Sequence, residues 1–236
     1  MKAHIESLVE YMHYLKELGY DGFPIPAQPV KEHSTGFEDA DDNKKLSIEN
    51  IRLAVEECRK CKLANTRTHP VPGEGDYNTG LMFIGEAPGY DEDQQGRPFV
   101  GRAGKLLTDI INAMGMTREE VFIANVIKCR PPDNREPMND EITACSPYLF
   151  HQIAIIKPKV IVTLGRYSSV TVLGLHEQMK MSELRGRFFN FKGIKVMPTY
   201  HPAYLLRNAN DKKLVWNDMK LVLQELGKPV PVNKPR

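Results

Sequence analysis

The sequence has no apolar run approaching the roughly 20 residues that a membrane-spanning helix requires, and its N-terminus lacks the basic and then apolar order of a signal peptide. Cysteine is also scarce, with four among 236 residues. Because a chain with no secretory signal is not expected to form disulfides, these cysteines need another explanation. The sequence therefore predicts a cytoplasmic monomer that has no contact with a membrane.

The formal net charge of +2 conceals two regions of opposite sign. Residues 1–57 carry six Lys and Arg against twelve Asp and Glu, a net of −6, whereas residues 157–207 carry nine against two, a net of +7. A basic segment of this kind is typical of proteins that bind polyanions, most commonly nucleic acids. A solvated surface that happens to be basic explains the charge alone equally well.

The first 46 residues differ in pattern from the rest of the chain. Apolar residues recur with helical spacing over residues 2–19, and residues 22–42 are rich in proline, glycine and acidic side chains, as linkers are. The sequence therefore predicts an N-terminal helix and an acidic linker over residues 1–46, followed by a catalytic domain over residues 47–236.

Strand and helix patterns alternate from residue 81 onward. The predicted strands cover residues 81–85, 121–127, 159–164 and 194–199, and the predicted helices cover residues 102–114, 139–156, 166–173 and 211–226. This alternation predicts an α/β fold in which a four-stranded parallel sheet has helices on both faces.

Polar or glycine residues follow each of the four predicted strands. The turn GEAPG begins at Gly85, Asn125 closes the second strand, Gly165 follows the third, and His201 follows the fourth. Ligands bind outside the carboxyl ends of strands in open parallel sheets, so these residues are expected to share one crevice. Taken singly, Asn125 is also explained as a capping or turn residue, and a lone histidine beside proline is more often structural than catalytic.

The four cysteines are spaced as C-x2-C, a gap of 67 residues, and then C-x15-C; they are Cys58, Cys61, Cys129 and Cys145. A structural zinc site usually has two close pairs, which the wide second spacing fits less well. An iron-sulfur cluster accepts four thiolates from dispersed positions. Spacing alone leaves cluster and zinc about even, and both are favoured over four inert buried thiols.

Three segments and the cysteine spacing form a specific combination, the segments being GEAPGYDEDQQGRPFVGRAGKLL, NVIKCRPPDNREP and TYHPAYLLRN. This combination resembles the family 4 uracil-DNA glycosylases, whose members carry a 4Fe-4S cluster. The resemblance covers residues 58–226. It implies a three-layer sandwich, four cysteine ligands to a 4Fe-4S cluster, and hydrolysis of the bond between uracil and deoxyribose in DNA, which leaves an abasic site for base excision repair.

The resemblance also implies a uracil pocket, to which Gly85, Glu86, Ala87, Phe99, Asn125 and His201 contribute. Phe99 would lie against the face of the flipped base and replace its lost stacking, unless it is simply a core residue. The Asn125 amide would read N3-H and O4 of uracil, because it offers both a donor and an acceptor. His201 would bind O2 as negative charge develops on the departing base.

Glu86 is the least certain member of this set. Better-known uracil glycosylases have the turn GQDPY, whose Asp positions water, and Ala87 occupies that Asp position here. The Glu86 carboxylate could orient the water, stabilise the positive charge on the sugar, or hold the turn by accepting backbone N–H groups. The third role is structural and is nearly as well supported by the sequence as catalysis.

The last motif implies contacts to DNA. The spacing His-Pro-x-x-Leu places Leu205 where the superfamily inserts an apolar wedge into the minor groove, and Arg207 follows as a phosphate or groove contact. A pair of leucines is otherwise most often a helix-packing pair. The substrate implied is uracil-containing DNA, single- or double-stranded.

Two departures from relatives refine the expected activity. Related proteins that trap uracil covalently use a histidine in a basic loop near the second strand, whereas this chain reads PPDNREPMNDE there, so turnover is expected. No lysine in the motifs is placed as a Schiff-base nucleophile, so lyase activity is not expected. The alternatives are a non-catalytic iron-sulfur protein that binds nucleic acid and a zinc-stabilised enzyme that acts on another nucleobase.

Overall fold

The computed structural model describes residues 40–176 and 178–231. The N-terminal helix predicted over residues 2–19, and nearly all of the predicted linker, lie outside this part of the chain. The first described helix, α1, runs over Ala40–Glu56 and so crosses the boundary predicted at residue 46. No helix in the described part of the chain is long and apolar enough to cross a membrane.

A six-stranded mixed sheet forms the centre of the fold. Its strands are β1 (Glu74–Gly75), β2 (Leu81–Gly85), β3 (Phe122–Asn125), β4 (Val160–Leu164), β5 (Phe189–Phe191) and β6 (Ile194–Thr199). They lie in the order β1-β3-β2-β4-β6-β5. The four central strands are parallel, which confirms the predicted sheet, while β1 and β5 add antiparallel edges that were not predicted.

The helices lie on both faces of this sheet. They are α2 (Tyr90–Gln95), α3 (Arg102–Ala113), α4 (Asn139–Ile156), α5 (Arg166–Leu173), α6 (Met181–Leu184), α7 (Pro202–Leu205) and α8 (Lys212–Glu225). The four long helices predicted from the sequence correspond to α3, α4, α5 and α8. The α/β fold class is therefore confirmed.

Alternating strand residues divide the core into two layers, because successive side chains of a strand point to opposite faces. Met82 and Ile84 of β2 pack with apolar residues of α1 and α4 in one cluster. Leu81 and Phe83 pack with apolar residues of α3 and α8 in the other. Both clusters are buried, so β2 and β4 read as continuous apolar runs and their carboxyl ends are held rigidly at one edge of the sheet.

Candidate active site

The carboxyl ends of the four parallel strands meet at one edge of the sheet, as expected. Gly85 at the end of β2 is the register partner of Asn125 at the end of β3. Leu164 of β4 is the register partner of Thr199 of β6, so Gly165 and His201 lie just beyond that pair. A Cβ atom added to Gly165 would be 3.2 Å from the Cβ of His201. The structure thus brings together four chain segments that are far apart in sequence.

Phe99 completes this edge from a loop between α2 and α3. Its backbone φ is 51°, a value that residues other than glycine seldom adopt. A Cβ atom on Gly85 would lie 2.5 Å from Cζ of Phe99 and 2.3 Å from Oδ1 of Asn125, so a glycine is required at residue 85. The rings of Phe99 and His201 are 5.6 Å apart between centroids. Phe99 and Asn125 therefore lie against Gly85, and the ring of Phe99 also lies near His201. Ala87 is half-buried in the turn that follows Gly85.

The Asn125 side chain is buried at 1% exposure, and its Oδ1 has no hydrogen-bond partner in the described part of the chain. Leaving a buried polar atom unpaired costs about 1 to 3 kcal/mol. Buried polar groups are nearly always paired, so an exception calls for a functional explanation. The unpaired oxygen marks the place where a ligand with a hydrogen-bond donor would fit.

His201 is oriented by a hydrogen bond to the start of helix α7. Its Nδ1 accepts from the main-chain N–H of Ala203 at 3.1 Å. Burial and, to a lesser extent, the nearby charge of Arg207 lower the pKa of His201 to about 4. The imidazole is therefore neutral at pH 7 and, because Nδ1 is an acceptor, its proton lies on Nε2. His201 thus offers a neutral N–H donor.

Glu86 is half-buried at the start of the turn after β2. Burial and, to a lesser extent, the charge of Glu136 raise the pKa of its carboxyl to about 7, although Arg166 opposes the shift. Its environment is that of a titrating group poised near neutral pH, as catalytic carboxylates often are.

The four cysteines line one narrow cavity between α1, the loop after β3 and α4; they are Cys58, Cys61, Cys129 and Cys145, and Cys129 lies four residues after Asn125. All four are free thiols, and the last two are buried. Within residues 40–176 and 178–231, no group of three or more His, Cys, Asp or Glu side chains is arranged to hold a metal ion. The four thiols line the same cavity and are the residues available there to hold a metal centre.

Hydrogen-bond donors are directed at two of the sulfur atoms. Nη1 of Arg67 donates to Sγ of Cys129 at 3.0 Å, and the main-chain N–H of Lys128 donates to Sγ of Cys145 at 3.1 Å. Burial raises the pKa of Cys145 to about 12, with Lys128 opposing the shift. Such thiols are neutral unless a metal displaces the proton. The N–H donors and nearby cations fit thiolate ligands of a metal centre.

The amino-acid sequence matches known proteins over most of its length. A family model described as the uracil DNA glycosylase superfamily matches residues 72–220. Type-4 uracil-DNA glycosylase from Sulfurisphaera tokodaii is 51% identical over 183 residues, which are 75% of this chain and 83% of that protein. The chain belongs to the type-4 uracil-DNA glycosylase family.

Other relatives agree with this placement. Type-4 uracil-DNA glycosylase from Saccharolobus solfataricus is 48% identical over 198 residues, covering 79% of this chain and 91% of that protein. A type-5 uracil-DNA glycosylase from Pyrobaculum aerophilum is more distant, at 28% over 190 residues, with coverages of 74% and 83%. The resemblance stated from the sequence motifs is therefore confirmed.

In this type-4 glycosylase, Glu92 rather than Glu86 holds the GEAPG turn in place. Glu92 of α2 accepts hydrogen bonds from the main-chain N–H groups of Gly89 at 3.0 Å, Val100 at 3.0 Å and Gly101 at 3.2 Å. Glu92 thus ties GEAPG to the loop that carries Phe99. The loop-holding role considered for Glu86 is filled by Glu92.

A second residue that sequence reasoning missed fixes the other side of the Phe99 loop. Arg118 donates to the main-chain oxygens of Phe99 at 3.1 Å and Pro98 at 2.8 Å. It also forms a salt bridge with Glu74 at 2.6 Å. These bonds stabilise the unusual backbone of Phe99. No motif marks Arg118, because its role depends on contacts between distant segments.

The structure buries Leu205, the residue predicted as the wedge. Leu205 is 1% exposed and packs in the core cluster beside α3 and α8, so it cannot enter DNA without leaving the core. The adjacent Leu206 is 41% exposed. Arg207 is exposed and lines a surface hollow with residues 208–211, so it remains available for contact with DNA.

Proposed function

We propose that this protein releases uracil from DNA by hydrolysing its N-glycosidic bond, leaving an abasic site for base excision repair. The observation that carries the proposal is the unpaired, buried Oδ1 of Asn125 beside Phe99 and Gly85. The relatives of this chain are named type-4 uracil-DNA glycosylases, and the similarity covers most of their length. A base must leave the stack to reach this enclosed edge of the sheet.

Recognition of uracil follows from the pairing capacity of Asn125. Its free Oδ1 accepts from N3-H of uracil, and its amide nitrogen donates to O4. Cytosine presents an acceptor at N3 and a donor at N4, so the same amide cannot pair with it in this orientation. The ring of Phe99 lies beside the base and offsets the stacking that the base loses.

Bond cleavage is assisted at the two atoms where charge develops. Nε2-H of His201 donates to O2 of uracil as the departing base becomes an anion. A neutral donor suits this task, because it leaves no net charge in the pocket once the base has gone. The ionised Glu86 carboxylate orients the attacking water or stabilises the positive sugar.

The four-cysteine cavity is proposed to hold a 4Fe-4S cluster, with Cys58, Cys61, Cys129 and Cys145 as ligands. A 4Fe-4S cluster accepts four thiolates from dispersed positions, whereas a structural zinc site usually has two close pairs of ligands. When bound, the cluster would cross-link α1, the loop after β3 and α4. Zinc analysis and visible absorption of protein purified without oxygen distinguish the two metals.

The proposed activity is tested with a uracil-containing oligonucleotide, in single- and double-stranded form, that is treated with alkali after incubation. Strand breaks are expected at uracil and only after the alkali, because no lyase step is proposed. Matched oligonucleotides with thymine or cytosine at the same position serve as controls. Binding without cleavage at uracil would contradict the proposal and favour a non-catalytic nucleic-acid-binding protein.

We expect Leu206 to act as the wedge in place of Leu205, because Leu206 is exposed and Leu205 is buried. Leu206→Ala is expected to lower uracil excision from duplex DNA by about tenfold, because an apolar wedge fills the space left by the flipped base. Excision from single-stranded DNA should change much less, since no partner strand closes that space. Steady-state kinetics on both substrates provide the measurement. Leu221→Ala, at another exposed leucine, is the matched control and should affect neither substrate.

Excision is expected to depend on pH through Glu86. Its pKa of about 7 means that the carboxylate is lost as pH falls, so the rate should drop about tenfold per unit below pH 7. His201 stays neutral over this range and cannot produce the inflection. Single-turnover rates measured between about pH 5.5 and 9 would show this inflection.

Two variants identify the titrating group. Glu86→Gln should abolish the inflection and hold the rate at a low, flat value. Glu136→Gln should move the inflection to lower pH, because Glu136 raises the pKa of Glu86. An inflection that persists in Glu86→Gln would exclude Glu86 as its source.

A further inference from the structure

A fully buried lysine lies between the strand end that carries Asn125 and the four-cysteine cavity. Lys128 is 1% exposed. Its Nζ donates to the main-chain oxygen of Asn125 at 2.9 Å and to Oε1 of Gln152 at 2.7 Å. A buried ammonium group is rare, and two neutral oxygen acceptors bind two of its three N–H groups without neutralising its charge.

The same residue contacts the cysteine cavity. Lys128 lines that cavity, and its main-chain N–H donates to Sγ of Cys145 at 3.1 Å. Cys145 thus holds the backbone of Lys128, while the side chain of Lys128 holds the backbone of Asn125. One residue therefore has bonds to both sites.

We propose that Lys128 is a positioning residue for uracil recognition, which holds the main-chain carbonyl of Asn125 in place while Cys145 accepts from its main-chain N–H. The inference rests on the proposed function, because it assigns Lys128 to the same pocket. It links the two sites physically: Cys145 fixes the backbone of Lys128, the ammonium group of Lys128 fixes the strand end, and the strand end aims the amide that reads the base.

Gln152 offers a matched comparison within the same network. Its Oε1 accepts from Lys128, and its Nε2 donates to the main-chain oxygen of Pro72 at 2.7 Å. Gln152→Leu removes one acceptor of the ammonium but leaves the bond to Asn125. Lys128→Met removes both bonds and the charge while nearly keeping the volume. The difference between the two variants reports the combined effect of the contact with Asn125 and of the positive charge.

The test uses the full chain purified without oxygen. Lys128→Met is expected to retain the iron content and visible spectrum of the wild type and to lose about tenfold to hundredfold in kcat/KM for uracil excision. Its metal site should have a more negative reduction potential, because a nearby positive charge is gone. Gln152→Leu should lose less activity. In an Asn125→Ala background, Lys128→Met should cause no further loss.

Three results would overturn the inference. They are wild-type kcat/KM in iron-loaded Lys128→Met, an equal loss in the Asn125→Ala background, and a loss in Gln152→Leu as large as that in Lys128→Met. If Lys128→Met does not fold, Lys128→Gln gives the same comparison, since it removes the charge and shortens the reach. A wild-type chain that releases no uracil would overturn the proposed function itself, and the wild-type control detects this separately.

Discussion

Replacing His201 with alanine is expected to lower the single-turnover rate of uracil release by about two to three orders of magnitude. The imidazole is neutral, its Nδ1 is occupied by Ala203 N–H, and its Nε2-H is the donor available for O2 of the departing base. The effect should appear in kcat and leave DNA affinity nearly unchanged, because the donor acts where charge develops. Rapid-quench assays and DNA-binding titrations measure the two quantities.

A second variant separates catalysis from the structural role of the same ring. His201 caps helix α7, and losing an N-cap costs typically about 1 kcal/mol of stability. His201→Asn keeps a capping acceptor but has no group in the place of Nε2-H, so it should retain thermal stability and still lose activity. His176→Ala, at an exposed histidine, should change neither. Full activity in His201→Asn would assign the residue a capping role alone.

The convergence of the strand ends could be predicted from the sequence because it follows from parallel pairing. Once four apolar runs alternate with helices, the residues after each run must share an edge, so Gly85, Asn125, Gly165 and His201 were identified without coordinates. The edge strands β1 and β5 were missed, because two or three residues with mixed burial give no periodic signal.

The burial of the predicted wedge residue has a physical reason. The motif His-Pro-x-x-Leu fixes a position along the chain, but it does not determine which of two neighbouring leucines turns inward. Helix α7 is a single turn, and in it Leu205 packs against the core while Leu206 is exposed. Adjacent residues of a helix are about 100° apart, so a shift of one position exchanges core for solvent.

Residues that position others gave no signal in the sequence. Glu92 and Arg118 act through main-chain atoms of the Phe99 loop, and their charges read in the sequence as ordinary surface residues. Lys128 is the strongest example, since lysine is almost never fully buried. Each depends on segments that fold together from distant parts of the chain, and sequence patterns report only local spacing.

Asn125→Asp is expected to reduce uracil release by about two to three orders of magnitude, although the two side chains have nearly the same shape. The substitution replaces the donor that pairs with O4 by an oxygen that repels it. It also places an acidic group at a site that is 1% exposed, where ionisation is unfavourable. The measurement is the single-turnover rate on the uracil-containing oligonucleotide.

Free uracil provides an independent readout of the same contact. A ligand that binds only the folded state raises the melting temperature by mass action, so uracil should stabilise the wild type. The unpaired Oδ1 of Asn125 gains a partner in that complex, which relieves a cost that the free protein bears. Asn125→Asp should show a much smaller shift, whereas Leu206→Ala, outside the pocket, should keep it. An unchanged shift in Asn125→Asp would mean that uracil is read by another group, and that the buried oxygen is a local structural defect.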